Sequence, residues 1–427
     1  MSKKLKYIVR GITLTLAISL IGFDIGKYFN TNKSNIVKAI NKTSNDNNTL
    51  LYNENKIFSL KNQNNIPKNI NDAINRLNKQ AEKKLKIKNP TVIDKTEIIN
   101  QGATKHDYVS MPPYYWKNPN TKTGYPYIVK DGVKNPERFL DEKFDSERAE
   151  EMISAVTTLS TAYCLTRKEE YAKKASEIIK TWFINKDTKM NPNMTYSQCI
   201  PGKNKGTGSG IINSSNFIKV IDSVYLLQNS NSWTSEDDKN LKKWFEHYIN
   251  WLETSELGKL EKGKNTNHGS WYDAQVATYA LYCGKDKLAK KIVKEAKEKR
   301  IDKQIESDGS MPAELRRTKS LPYTQYNLQA LITLARVGDK VQINLWDYKG
   351  TKGQSLKTSI DFVNDYLLGK ITWKYKNITK EENEGLMPYL ALAYNHYNSN
   401  DYKKIIENYE DKLNEQQKII LFTIMNS

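Results

Sequence analysis

Cysteine is scarce in this chain of 427 residues, and its scarcity removes two architectures. Cys164, Cys199 and Cys283 stand alone with no CxxC pair, so a dense disulfide framework and a cysteine-ligated zinc site are excluded, and room is left for one bridge. Histidine is as sparse, at four residues. No HExxH pair, EF-hand loop or carboxylate cluster accompanies them, so neither a metal nor a cofactor is expected. Signatures of an RRM, a zinc finger or a helix-turn-helix are missing too. The lysines are scattered along amphipathic helices, which argues against nucleic acid as a partner. GKNKGTG at 202–208 has a phosphate loop's composition without its Gly-Lys-Ser/Thr ending after a strand, so nucleotide binding is rejected.

What the chain does have is positive charge: 67 Lys and Arg against 48 Asp and Glu leave a formal net charge of +19. Such a surface draws in polyanions, most strongly at low salt. Tyrosine is also abundant, with 26 Tyr against 10 Phe and 8 Trp, enough to fill a core and still supply rings for a sugar-binding surface. Lys3, Lys4, Lys6 and Arg10 precede an apolar run from Gly11 to Phe23, which predicts an export signal or signal-anchor over 1–27. A polar Asn/Lys-rich tether is expected over 28–85 and one large catalytic domain over 86–427. The expected product is a monomer, secreted or anchored on the outer face of a bacterial cytoplasmic membrane.

From His106 to Phe139 prolines and glycines alternate with Tyr108, Tyr114, Tyr115, Trp116, Tyr125 and Tyr127, which predicts an ordered loop. Its rings suit sugar faces, and Lys117, Lys122 and Lys130 suit carboxylates; the plainer reading is that the rings pin the loop to the body. From Ser146 onward apolar residues recur at three and four, in segments joined by short turns, such as Thr234–Thr254, Leu356–Leu368 and Asp401–Met425. Helix hairpins of this kind predict an all-α chain curved into an (α/α) toroid. The repetition is architectural, since no strict sequence repeat is visible. A glycine-rich stretch from Asn191 to Asn216 is expected to rim the cleft.

Two further stretches carry the chemistry: NTNHGSWYDAQ from Asn265, and DGSMPAELRRTKSLPYTQY ending at Tyr326. With YVSMPPYYWKNP and GYPYIVKDG upstream, they resemble the alginate lyase superfamily of polysaccharide lyases, in its WYD-containing branch, over His106 to Val337. That resemblance implies an incomplete (α/α) toroid and β-elimination on a uronate-containing polysaccharide. It places the catalytic Asn-His pair on Asn267 and His268, the Arg on Arg317 with Arg316 competing, and the Tyr on Tyr323. Tyr114, Tyr115, Trp116, Tyr127, Lys130, Arg316 and Tyr272 are the expected substrate contacts, although Tyr272 also reads as packing beside Trp271 and Asp273. Thr207 and Asn213 stand where relatives are expected to carry a basic and an acidic residue.

The residue types fit elimination on their own. Removing the proton at C5 beside a carboxylate and expelling O4 requires the carboxylate to be neutralised, a base and an acid. Asn267 and Arg317 suit the first task. Tyr323 beside a guanidinium is expected to have a lowered phenol pKa. If C5–H and O4 leave from one face, Tyr323 serves as both base and acid; if from opposite faces, His268 is the base and Tyr323 the acid. Taken singly, His268 reads as a helix cap, Asn267 as a turn residue, Arg317 as a surface partner of Glu314, and Tyr323 as core. Two other classes stay open: a glycoside hydrolase using two of Asp273, Asp308 and Glu314, and a non-catalytic binder of acidic polysaccharide.

Overall fold

The computed structural model describes residues 49–426 apart from 61, 62, 64 and 381. The export segment expected over 1–27 and the first part of the tether lie outside the described residues. Two helices, α1 (Glu54–Leu60) and α2 (Lys68–Lys84), precede the aromatic loop. Its one hairpin pairs β1 (Tyr115–Trp116) with β2 (Ile128–Val129), antiparallel, with Tyr115 opposite Val129. Then follow α3 (Ser146–Thr166), α4 (Glu169–Phe183), α5 (Phe217–Leu227), α6 (Ser235–Thr254), α7 (Glu256–Lys262), α8 (Asn267–Tyr282) and α9 (Asp286–Ala296). A π-helical turn (Lys297–Asp302) leads to α10 (Pro312–Leu315), α11 (Ser320–Val341), α12 (Leu356–Leu367), α13 (Met387–Tyr397), α14 (Asn400–Tyr409) and α15 (Glu415–Met425).

Burial sorts these helices into two rings. Helix α8 is buried at nearly every position from Asn267 to Tyr282, and α3 and α11 are nearly as enclosed. Their neighbours bury one stripe: α9 hides only Ala289, Ile292, Val293 and Ala296, at the spacing of a single helix face. Inner and outer helices therefore alternate along the chain. α8 packs on both α9 and α11, and α3 on both α4 and α5. The last helix, α15, returns to α2, where Arg76 Nε lies 2.7 Å from Glu415. The expected (α/α) toroid is the fold observed.

Two expectations need correction. The tether does not reach residue 85: Leu50, Leu51 and Tyr52 are in the core, and the Leu50 and Leu51 amides donate to Asp222 of α5 at 2.9 and 2.8 Å. Helix α2 buries Ile70, Ala73, Leu77 and Ala81, a stripe too narrow to stand out among its Asn and Lys residues. The segment Asp401–Met425 is two helices, because Asn414 accepts from the Gln417 amide in a capping box and starts α15 afresh. The three cysteines are free. Among the described residues, no group of metal-ligating side chains is found, and no helix is long and apolar enough to cross a membrane.

Candidate active site

The site forms where the first turns of α8 and α11 meet beneath the aromatic loop. Asn267 opens α8, and its backbone N–H and Nδ2 donate to the two oxygens of Glu314 at 2.6 and 2.7 Å. Glu314 sits on α10, a single turn begun by Pro312, so this short helix holds Asn267 in place. Next along α8, His268 places Nδ1 2.5 Å from Glu261 Oε1 of α7, leaving Nε2 without a partner among the described residues. Glu261 is buried, and this pairing fixes which ring nitrogen is available.

Arg317 leaves α10 toward the loop. Its Nη2 donates to Asp131 Oδ1 at 2.7 Å and to the Tyr323 hydroxyl at 3.0 Å, while the guanidinium lies 4.0 Å from the Tyr323 ring centroid. Nε and Nη1 make no hydrogen bond with any described residue, so they can meet an anion. Tyr323, in the first turn of α11, donates to the Tyr114 hydroxyl at 2.8 Å. Asp131 also accepts from Thr318 Oγ1 at 2.8 Å, stapling the loop to the body. Gly132 has φ +79°, and a Cβ there would run into that same Thr318 hydroxyl, so the staple requires glycine.

These groups line a cleft of about 330 Å³ whose wall includes Tyr114, Tyr115, Asn267, His268, Arg317 and Tyr323. A wider groove of about 800 Å³ around Phe362 and Trp373 contains none of them. Several expected contacts are elsewhere. Tyr272 is buried and donates to the Leu252 carbonyl at 2.8 Å, so it is core and not a substrate contact. Tyr127 is likewise buried, its hydroxyl 2.6 Å from Glu137, and it pins the loop. Trp116 donates to the Val133 carbonyl at 2.9 Å and carries Lys130 Nζ 5.0 Å from its ring centroid; neither lines the cleft. Arg316 is exposed outside the cleft wall, which leaves Arg317 as the arginine of the site.

Electrostatics overturn one expectation and sharpen another. Burial raises the Tyr323 phenol above its ordinary value, its bond to Tyr114 adds to this, and the pull of Arg317 is too small to reverse it. Tyr323 is therefore a protonated phenol at neutral pH rather than the phenolate-prone one expected. Burial also pushes Asp131 upward, but the hydrogen bonds from Arg317 and Thr318 outweigh it and hold the carboxyl at about 2. Burial raises Glu314 despite its bonds from Asn267. The hydrolase reading finds no pair of available carboxylates. Asp273 is bound to Arg300 Nε at 2.7 Å, Glu314 is bound twice by Asn267, and Asp308 lines the other groove.

A helical toroid with an Asn-His pair and an Arg-Tyr pair in one cleft is the arrangement of a polysaccharide lyase of the toroid class. The chain belongs to the alginate lyase family, whose model matches residues 91–373. An alginate lyase from Bacteroides ovatus is 35% identical, with a TM-score of 0.81 over 88% of this chain and 99% of that one. Alginate lyase A1-III from Sphingomonas species A1 is 14% identical over 82% of this chain and 89% of its own, at a TM-score of 0.53. A variant of that enzyme complexed with a tetrasaccharide is 12% identical over 84% and 91%, at 0.54. These last two share the fold alone. No curated protein sequence matches the chain.

Proposed function

We propose that this polysaccharide lyase cleaves a uronate polymer by β-elimination with divided proton roles. Asn267 Nδ2 and the unpaired edge of Arg317 hold the uronate carboxylate and stabilise the enolate-like charge that grows on it. His268 Nε2, oriented through Glu261, removes the C5 proton. Tyr323, kept protonated by burial, delivers its proton to O4 as the glycosidic bond breaks. The observation that carries this reading is the convergence of these four residues on one cleft, with His268 Nε2 unpaired and the Tyr323 phenol raised. A base and an acid on different residues suit a sugar whose C5–H and O4 leave from opposite faces, as in the guluronate blocks of alginate. Alginate is the polymer to try first, because it is named for the 35%-identical relative. The basic-flanked apolar run at Gly11–Phe23 supports export, with the enzyme acting as a monomer outside the cytoplasmic membrane, free or tethered there.

The test is direct. The purified chain is incubated with guluronate-rich alginate, mannuronate-rich alginate and other polyuronates while ultraviolet absorbance of the conjugated unsaturated uronide is followed. The chromophore is expected, strongest from guluronate-rich material. New reducing ends without the chromophore would mean hydrolysis, and neither signal on any polymer would mean a binder; both sink the lyase reading.

A further inference from the structure

A second cavity, of about 200 Å³, lies beside the cleft, and Tyr326 borders both. Trp271, about one turn beyond His268 on α8, and Tyr326, about one turn beyond Tyr323 on α11, contribute to its wall, with ring centroids 4.9 Å apart. Lys219 of α5 lines this cavity, and its Nζ makes no hydrogen bond and no ion pair with any described residue. Burial lowers its pKa with no carboxylate to hold it up. Trp271 is only 4% exposed and presents its ring to the cavity, its Nε1–H being enclosed and without an acceptor among the described residues. No Asp or Glu lines the cavity, whose remaining polar wall includes the amides of Asn216 and Gln329.

A desolvated ammonium without a counter-charge is unfavourable. An anion placed on it in the cavity offsets that cost. The space equals about seven water volumes, enough for a single sugar ring. The faces of Trp271, Tyr326 and Tyr389 are apolar platforms for such a ring, and the amides are partners for its hydroxyls. We propose that this cavity binds a free monosaccharide uronate, its carboxylate on Lys219 and its ring against Trp271 and Tyr326, at a site separate from the catalytic cleft. That the anion is a sugar acid rests on the lyase reading; that the cavity takes an anion does not.

Isothermal titration calorimetry on the full chain with sodium glucuronate tests this without turnover. Saturable binding is expected, with no binding of glucose and clearly weaker binding of inorganic phosphate. Lys219→Met should weaken glucuronate by about tenfold or more, the scale of one charged hydrogen bond. Asn267→Ala, which damages the cleft, should leave it intact. Absence of binding, equal affinity in Lys219→Met, equal affinity for phosphate, or loss in Asn267→Ala would each overturn the proposal. If Lys219→Met does not fold, Lys219→Gln removes the charge and keeps a polar tip, and the same weakening is expected. A chain that binds glucuronate in this way yet releases no chromophore from any polyuronate would keep this site and lose the lyase reading.

Discussion

Glu261 does for His268 what Asp131 does for Arg317: a carboxyl from another element fixes which atoms of the proposed catalytic side chain remain available. His268 Nδ1 is held 2.5 Å from Glu261, so only Nε2 is left for a substrate proton. Glu261→Gln leaves the volume nearly unchanged but offers an amide that serves either ring tautomer. We expect kcat on alginate to fall by about 10- to 100-fold, with KM and the melting temperature nearly constant, the pattern of lost orientation rather than lost binding. Steady-state kinetics beside a thermal melt check it, and an unchanged kcat would remove Glu261 from the mechanism. That Asn267, His268, Arg317 and Tyr323 would meet in one cleft was legible in the sequence because each sits in a short contiguous motif. Their partners were not, because Glu261 precedes His268 by seven residues on a separate helix and Asp131 precedes Arg317 by 186. The direction of the Tyr323 pKa was misjudged for a related reason: adjacency to Arg317 is visible in sequence, but enclosure by α11 and the loop is not.

At the scale of elements, the first turn of α8 depends on a clasp. Arg300, buried in the π-helical turn after α9, donates through Nε to Asp273 at 2.7 Å, and through Nη1 and Nη2 to the carbonyls of Lys264 and Lys262 at 2.7 and 2.9 Å. It thereby ties α8 to the strand of chain that leads into it. Gly269 lies under this clasp, and a Cβ there would collide with the Lys264 carbonyl and the Arg300 guanidinium. Alanine is better than glycine inside a helix by about 1 kcal/mol. The collision should outweigh that gain, so Gly269→Ala is expected to destabilise by about 1–3 kcal/mol and to lower activity by shifting His268. Denaturant melts with activity assays check this, and a variant more stable than the parent would refute the clasp. The hairpin order and most of the helices after Ser146 were readable from periodicity, since apolar residues at three and four mark both rings. Helix α2 was hidden by its composition. The short helices α7 and α10, which carry Glu261 and Glu314, are too brief to show a period at all.

Across the whole molecule, the abundance of tyrosine over phenylalanine has a physical cost that appears only at high pH. Tyr248, Tyr272, Tyr279 and Tyr282 are buried in the toroid, with hydroxyls bonded to Ser214, the Leu252 carbonyl, the Ser214 carbonyl and Asp238. Burial raises all four well above the ordinary phenol value, and it raises Tyr326 to about 12. A folded-state pKa above the unfolded one means that the folded chain keeps protons the unfolded chain releases. Their stabilising contribution is therefore complete below about pH 10 and is lost as pH rises beyond it. Each such group costs about 1.4 kcal/mol at one pH unit above 10, so four remove about 6 kcal/mol, comparable with the stability of an ordinary domain. Cooperative unfolding is thus expected between about pH 11 and 12, with tyrosinate absorbance rising in one step that coincides with loss of helical circular dichroism. Exposed tyrosines would titrate earlier without loss of helix. If instead the buried set ionised gradually while the helical signal held, the hydroxyls would not be locked in the core, and the account of Tyr323 as a phenol kept protonated by its surroundings would lose its physical basis.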